Sequence, residues 1–181
     1  MMKNVAFQLK KKATAPALML SLAAAMLSFE ASADTQINIT GTIKASPCNI
    51  NVPTGGLNVD LGQDIQASTL AGAGNSTDWK PFSIALTDCP ATTTTAVMTL
   101  NGTPDSIENT MYANSGSAGK VQIEVQSKAG ASLGNAKTLS QSVNNAGRGT
   151  TFEMQARAYS SEGGATPGSI VGTLQATFTY Q

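Results

Sequence analysis

The chain is 181 residues long, with eleven basic and eleven acidic side chains, a formal net charge of zero, two cysteines and no histidine. At 41% hydrophobic residues it carries enough apolar material for one well-buried core. The missing histidine removes the commonest general base and metal ligand, and the balanced charge leaves no basic stripe for nucleic acid.

The first segment sets the compartment. Lys3, Lys10, Lys11 and Lys12 form a positive leader, Ala13 to Leu27 is apolar, and Ala31-Ser32-Ala33 is a small-x-small cleavage site. That layout predicts a secretory signal peptide over residues 1–33. Its apolar stretch, broken by Thr14, Pro16 and Ser21, falls short of the roughly twenty residues a spanning helix needs. Removing 33 of 181 residues leaves 148, the size of one domain. The leader holds four of the eleven basic groups and one acidic group, Glu30, so the remainder has seven against ten and a net charge of −3. Outside the cytoplasm, the pair Cys48 and Cys89 is expected to form a disulfide. A metal site would want more ligands, and a catalytic thiol would want a histidine partner. No cofactor or metal is expected.

Next comes a strand-like run, Asp34 to Lys44, with Ile37, Ile39, Gly41 and Ile43 on one face and polar residues on the other. Two readings stand: an ordinary first strand, or an extended segment supplied to a neighbour. Short alternating runs follow, separated by Gly, Asn, Ser, Thr and Pro. They are Leu57, Val59 and Leu61; Phe82, Ile84 and Leu86; Val97 with either Met98 or Leu100; Val121, Ile123 and Val125; and Phe152, Met154, Ala156 and Ala158. Asp64 to Ala73 has the composition of a short turn, and no sustained helical period occurs after the leader. Many short strands at fairly regular spacing predict an all-β sandwich or barrel of one domain.

The final run, Gly168 to Gln181, alternates again. Ile170, Gly172, Leu174, Ala176, Phe178 and Tyr180 share one face, and Val171, Thr173, Gln175, Thr177 and Thr179 the other. It reads as a half-buried strand with no later strand to cover its edge, and an uncovered apolar edge must be paired or it becomes an aggregation site. With a surplus strand at one end and an unpaired one at the other, head-to-tail strand addition would build a fibre, because such a heterologous contact does not close.

These features resemble a pilin of the chaperone–usher class, close to the minor subunits of type 1 fimbriae. The resemblance rests on the extension ending in Pro47-Cys48, the run Val59 to Gly62, the run Phe82 to Pro90, Tyr180 and Gly168. It implies an incomplete immunoglobulin-like β-sandwich lacking its last strand, with residues 1–33 as signal peptide, 34–47 as donor-strand extension and 48–181 as pilin domain. Ile37, Ile39, Gly41 and Ile43 would be donated. The strand Gly168, Ile170, Leu174, Ala176, Phe178 and Tyr180 would accept, first a periplasmic chaperone's strand and then, at an outer-membrane usher, the next subunit's. The implied partners are therefore neighbouring pilins, chaperone and usher, and the implied location is the cell-surface fimbrium. A usable donor strand disfavours a terminating subunit, and the resemblance favours a minor tip or adaptor role over a major rod pilin.

Two other classes compete. An enzyme would have to work with Asp60, Asp64, Asp78, Asp88, Asp105 and Glu108, which are scattered through expected loops and strand ends. No nucleophile elbow or phosphate loop accompanies them, so catalysis is not expected. A self-contained secreted carbohydrate-binding sandwich would use Trp79, although a tryptophan flanking a strand more often caps a core. Tip adhesins of the pilin class carry a lectin domain for which 148 residues leave no room, which argues against direct receptor binding.

Overall fold

The computed structural model describes residues 40–42 and 46–181. The signal segment and Ile37, Ile39 and Ile43 lie outside the described residues. Nine strands are present among those described: β1 (Asn49–Asn51), β2 (Asn75–Ser76), β3 (Lys80–Thr87), β4 (Thr95–Gly102), β5 (Tyr112–Ala113), β6 (Gln122–Ser127), β7 (Lys137–Ser142), β8 (Thr150–Ser160) and β9 (Leu174–Tyr180). One 3-10 turn, Ala67–Leu70, falls inside the expected turn region.

Alternation is the reason these segments are strands. Successive side chains point to opposite faces, so an apolar row on one face must be buried against another layer. Phe152, Met154, Ala156 and Ala158 of β8 are all at or below 4% exposure, and Ile123 and Val125 of β6 are buried with them. In β4 the alternation resolves in favour of Ala96, Met98 and Leu100 inward, with Val97 facing out.

The strands form two antiparallel sheets. One has the order β1-β3-β8-β6-β5, with β2 also on β8; the other has the order β7-β4-β9. Their inner faces share one core, in which Ile84, Leu86, Phe152 and Met154 of the larger sheet meet Ala96, Met98 and Leu100 of the smaller. The Cys48–Cys89 disulfide forms as expected, with Cα atoms 4.2 Å apart, and ties the segment before β1 to the end of β3. Both cysteines are part of the core.

Two expectations change in extent, and one strand is new. The run Leu57, Val59, Leu61 belongs to no strand, although Val59 and Leu61 still lean on the core. A turn at Asp60 redirects it: the carboxylate accepts hydrogen bonds from the Gly62 N–H at 2.9 Å and Gln63 Nε2 at 2.8 Å. The last strand begins at Leu174, so Gly168 and Ile170 precede it. The backbone of residues 169–171 is occupied elsewhere, bonded to residues 114–118 at the edge of the larger sheet, before the chain crosses to the smaller one. β7 has only Leu139 as a large apolar residue. It is a strand because β4 pairs with it, and its sequence carries almost no alternating signal.

Candidate functional site

β9 pairs with β4 from Gly102↔Leu174 to Ala96↔Tyr180. Among the described residues no strand lies on its other side. The consequence is visible in directly paired residues of the same inner face. Ala96, Met98 and Leu100 of β4 are 0%, 0% and 4% exposed, whereas their partners Tyr180, Phe178 and Ala176 are only partly buried, as is Leu174. The two rows have the same chemistry and differ in having or lacking a neighbour. Strand alternation does not explain the difference, since Gln175, Thr177 and Thr179 already take the exposed face of β9.

Each residue expected to accept a strand has a place. Phe178 meets the fully buried Phe152 of β8 edge to face, with ring centroids 5.5 Å apart. Partial burial raises the Tyr180 phenol pKa, and the nearby Cys48 backbone acts in the opposite direction, so this end of the strand sits beside the disulfide. Leu174, Ala176, Phe178 and Tyr180 all pack on the main core. Ile170 lies upstream and touches both the main core and a smaller cluster of Leu70, Val121 and Ala158. Gly168 is exposed but irreplaceable in space, because a Cβ there would press into the Ser117–Ala118 backbone, 2.5 Å from the Ser117 carbonyl carbon. Gly41 is exposed, with open space around it. Ile37, Ile39 and Ile43 lie outside the described residues, so the structure places no donor strand.

Residues that sequence reasoning did not single out complete the site. A cleft of about 320 Å³ opens beside Ile170, walled by Ile65, Leu70, Ala118, Val121 and Pro167 together with the polar Gln66 and Thr166. Downstream of it, at Gly172, the floor rises, since a Cβ at that position would lie 2.5 Å from Ile123 Cδ1. Ile65 and Leu70 come from the turn region and Val121 from the approach to β6, so no local pattern could have grouped them. Trp79 does not cap the core. It is partly buried on the outer face, with the Arg157 guanidinium 4.2 Å from its ring centroid and Arg157 Nε donating to Glu124 Oε2 at 2.6 Å.

The comparisons with known proteins agree with this architecture. The family described as "Fimbrial protein" matches residues 37–181. Protein FimG of Escherichia coli K12 is 33% identical over 91% of this chain and 93% of its own length. The S-fimbrial adhesin protein SfaS of Escherichia coli O6:K15:H31 is 37% identical over 85% of this chain and 90% of its own. In fold, the P pilus rod subunit PapA superposes with a TM-score of 0.62 at 17% identity, over 75% of this chain and all of PapA. The P pilus adaptor subunit PapF superposes with a TM-score of 0.51 at 18% identity, over 76% of this chain and 98% of PapF. An all-β sandwich of the pilin type, joined by one disulfide and matched over most of its length, identifies the chain as a member of the fimbrial protein family, the structural, non-enzymatic pilins of chaperone–usher systems.

Proposed function

We propose that this pilin polymerises by donor-strand exchange, accepting a neighbour's N-terminal extension along β9 and donating its own Ile37, Ile39, Gly41 and Ile43. The observation that carries the reading is the edge of β9 left unpaired among the described residues, whose inward row is only partly buried beside a buried β4 row. A periplasmic chaperone would occupy that edge first and an outer-membrane usher would oversee the exchange, delivering the subunit to the surface fimbrium. The role is that of a minor tip or adaptor subunit supporting adhesion, in keeping with the similarity to FimG.

Chemistry also supports a register. Gly41 suits the shallow point at Gly172, where Ile123 already fills the floor. Running antiparallel to β9, the donor then sets Ile43 at the cleft beside Ile170, Ile39 at Leu174 and Ile37 at Ala176, with residues before Ile37 reaching Phe178. A parallel strand in the same glycine register would bring Pro47 and Cys48 to Phe178 and Thr179, and those residues already begin the folded domain. Burying three isoleucines would contribute about 5–9 kcal/mol at most. Such a strand leaves only with part of the core, so release is slow.

The test is denaturant unfolding of the full chain, disulfide intact, with and without a synthetic peptide of residues 34–44. A large, slowly reversed stabilisation that disappears when the peptide's Ile39 and Ile43 become Asn supports the reading. Indifference to the peptide would leave a self-contained sandwich.

One observation favours a second reading, that the subunit itself adheres. SfaS, named an adhesin, matches over 90% of its length, so single-domain size does not preclude direct binding as the length argument expected. The outer-face group of Trp79, Arg157 and Tyr159 would supply an aromatic contact surface. Loss of cell binding in Trp79→Ala, with fibre assembly intact, would support it.

A further inference from the structure

The stretch from Thr166 to Thr173 lies outside the strands, yet it forms one wall of the cleft beside Ile170. What holds it is a lacing to residues 114–119. The Asn114 carboxamide uses all its hydrogen-bonding directions: Nδ2 donates to the Ala118 carbonyl at 2.8 Å and the Ser169 carbonyl at 3.2 Å, while Oδ1 accepts from the Gly116 N–H at 2.9 Å and the Val171 N–H at 2.8 Å. Around it, Ser115 N–H donates to the Val171 carbonyl at 2.8 Å and Ala118 N–H to the Ser169 carbonyl at 3.0 Å. Ser117 Oγ accepts from the Ser169 N–H at 2.9 Å, and Thr166 Oγ1 accepts from the Gly119 N–H at 2.8 Å.

Gly116 and Gly168 allow the two segments to come this close, because a Cβ on either would run into the opposite backbone. Ala118, Thr166, Gly168 and Ile170 belong to the lacing segments and also line the cleft. Most of residues 166–173 are solvent-exposed, with Ile170 the one large side chain reaching the core. A stretch with so few buried contacts lies at the low end of local stability. Untied, it would fray, and Ile170 would fall into the hollow it now borders.

We propose that Asn114 is a positioning residue for strand uptake: its four-bond clamp keeps the cleft beside Ile170 open before any donor arrives. This rests on the strand-exchange reading above. A preformed site spares the incoming strand the cost of ordering its receptor. The clamp should therefore act on association, since in the finished complex the docked strand itself holds Ile170 in place.

The test measures association and dissociation of a fluorescent peptide of residues 34–44 on the full chain, alongside the denaturant midpoint. Asn114→Ala is expected to slow association at least fivefold and to leave dissociation within twofold of the unsubstituted chain. Asn114→Asp keeps both accepted bonds but sets a carboxylate oxygen against the Ala118 and Ser169 carbonyl oxygens, so it slows association at least as much. If Asn114→Ala does not fold, Ser117→Ala, which loses only the Ser169 bonds, carries the same expectation on a smaller scale. Unchanged association, even with a lowered midpoint, would overturn the proposal and leave Asn114 a structural residue. Association and dissociation rising together would also overturn it, since exchange would then proceed through local unfolding. If the unsubstituted chain takes up no peptide at all, strand exchange itself fails, an outcome distinct from either.

Discussion

Phe152 and Phe178 face each other across the sandwich, ring centroids 5.5 Å apart and planes at 61°, yet Phe152 is fully buried and Phe178 is not. The contact joins the fully buried part of the core to its partly buried rim. Edge-to-face aromatic pairs contribute about 0.5–1.5 kcal/mol beyond the area they bury. The smaller sheet is held to the larger one partly through a residue that is only partly buried.

Phe178→Ala should therefore have two effects of different size. Truncating a fully buried phenylalanine costs about 3–5 kcal/mol, and half-burial brings the expectation nearer to about 2 kcal/mol for the chain alone. Peptide 34–44 should stabilise the variant less than it stabilises the unsubstituted chain. Paired urea titrations, with and without peptide, check both.

The disulfide closes a separation of 41 residues. In the chain-entropy model, Cys48→Ser together with Cys89→Ser should cost about 4 kcal/mol. The loss should be largest in the unoccupied chain, because Tyr180 at the end of β9 lies close to the Cys48 backbone. Chemical denaturation of the double variant, with and without peptide, measures it.

Two glycines on the last run should respond differently to alanine. At Gly168 the new Cβ meets backbone at Ser117–Ala118, which cannot turn away; at Gly172 it meets the flexible tip of Ile123. Gly168→Ala should cost about 1–3 kcal/mol through forced backbone shifts, and Gly172→Ala less. Equal midpoints for the two variants would contradict the close approach at Gly168.

Alkaline pH should unfold the chain partly through Tyr112. Its phenol is 1% exposed and donates to the Leu133 carbonyl at 2.8 Å, and burial pushes its pKa up to about 12 from 10.0. The folded state favours the neutral form, so this contribution is complete below about pH 10 and is lost as pH rises through about 12. A shift of that size corresponds to about 2–3 kcal/mol. Tyr112→Phe should lose stability at neutral pH, by about 1 kcal/mol for the unmade hydrogen bond, and should show a shallower decline between about pH 9 and 12. Midpoints of both proteins across that range provide the check.

Much of this was legible from residue order. The alternation in Phe82 to Leu86, Val121 to Val125 and Phe152 to Ala158 named three of the four best-buried strands, because a pleated strand writes its burial into every second residue. The alternating row from Leu174 to Tyr180 was equally plain. The strand's start was not: residues 168–173 alternate as well as those after them, but the side chain of Asn114 and the backbone of Ser115 and Ala118 claim their hydrogen-bonding groups. The cleft beside Ile170 had no local signature, since Leu70, Val121 and Ile170 lie far apart in the chain.

By itself the sequence determined an all-β sandwich, a cysteine pair suited to an oxidising compartment, and a last strand with one apolar face. Those properties are set by period-2 patterning and by residue chemistry that neighbours cannot change. Only the tertiary structure decided that β9 stands at a sheet edge, that its row is half-buried where the paired β4 row is sealed, and that a cleft opens at its upstream end. Burial on an edge depends on what lies beside a strand, and that is fixed by the pairing of segments distant in the chain.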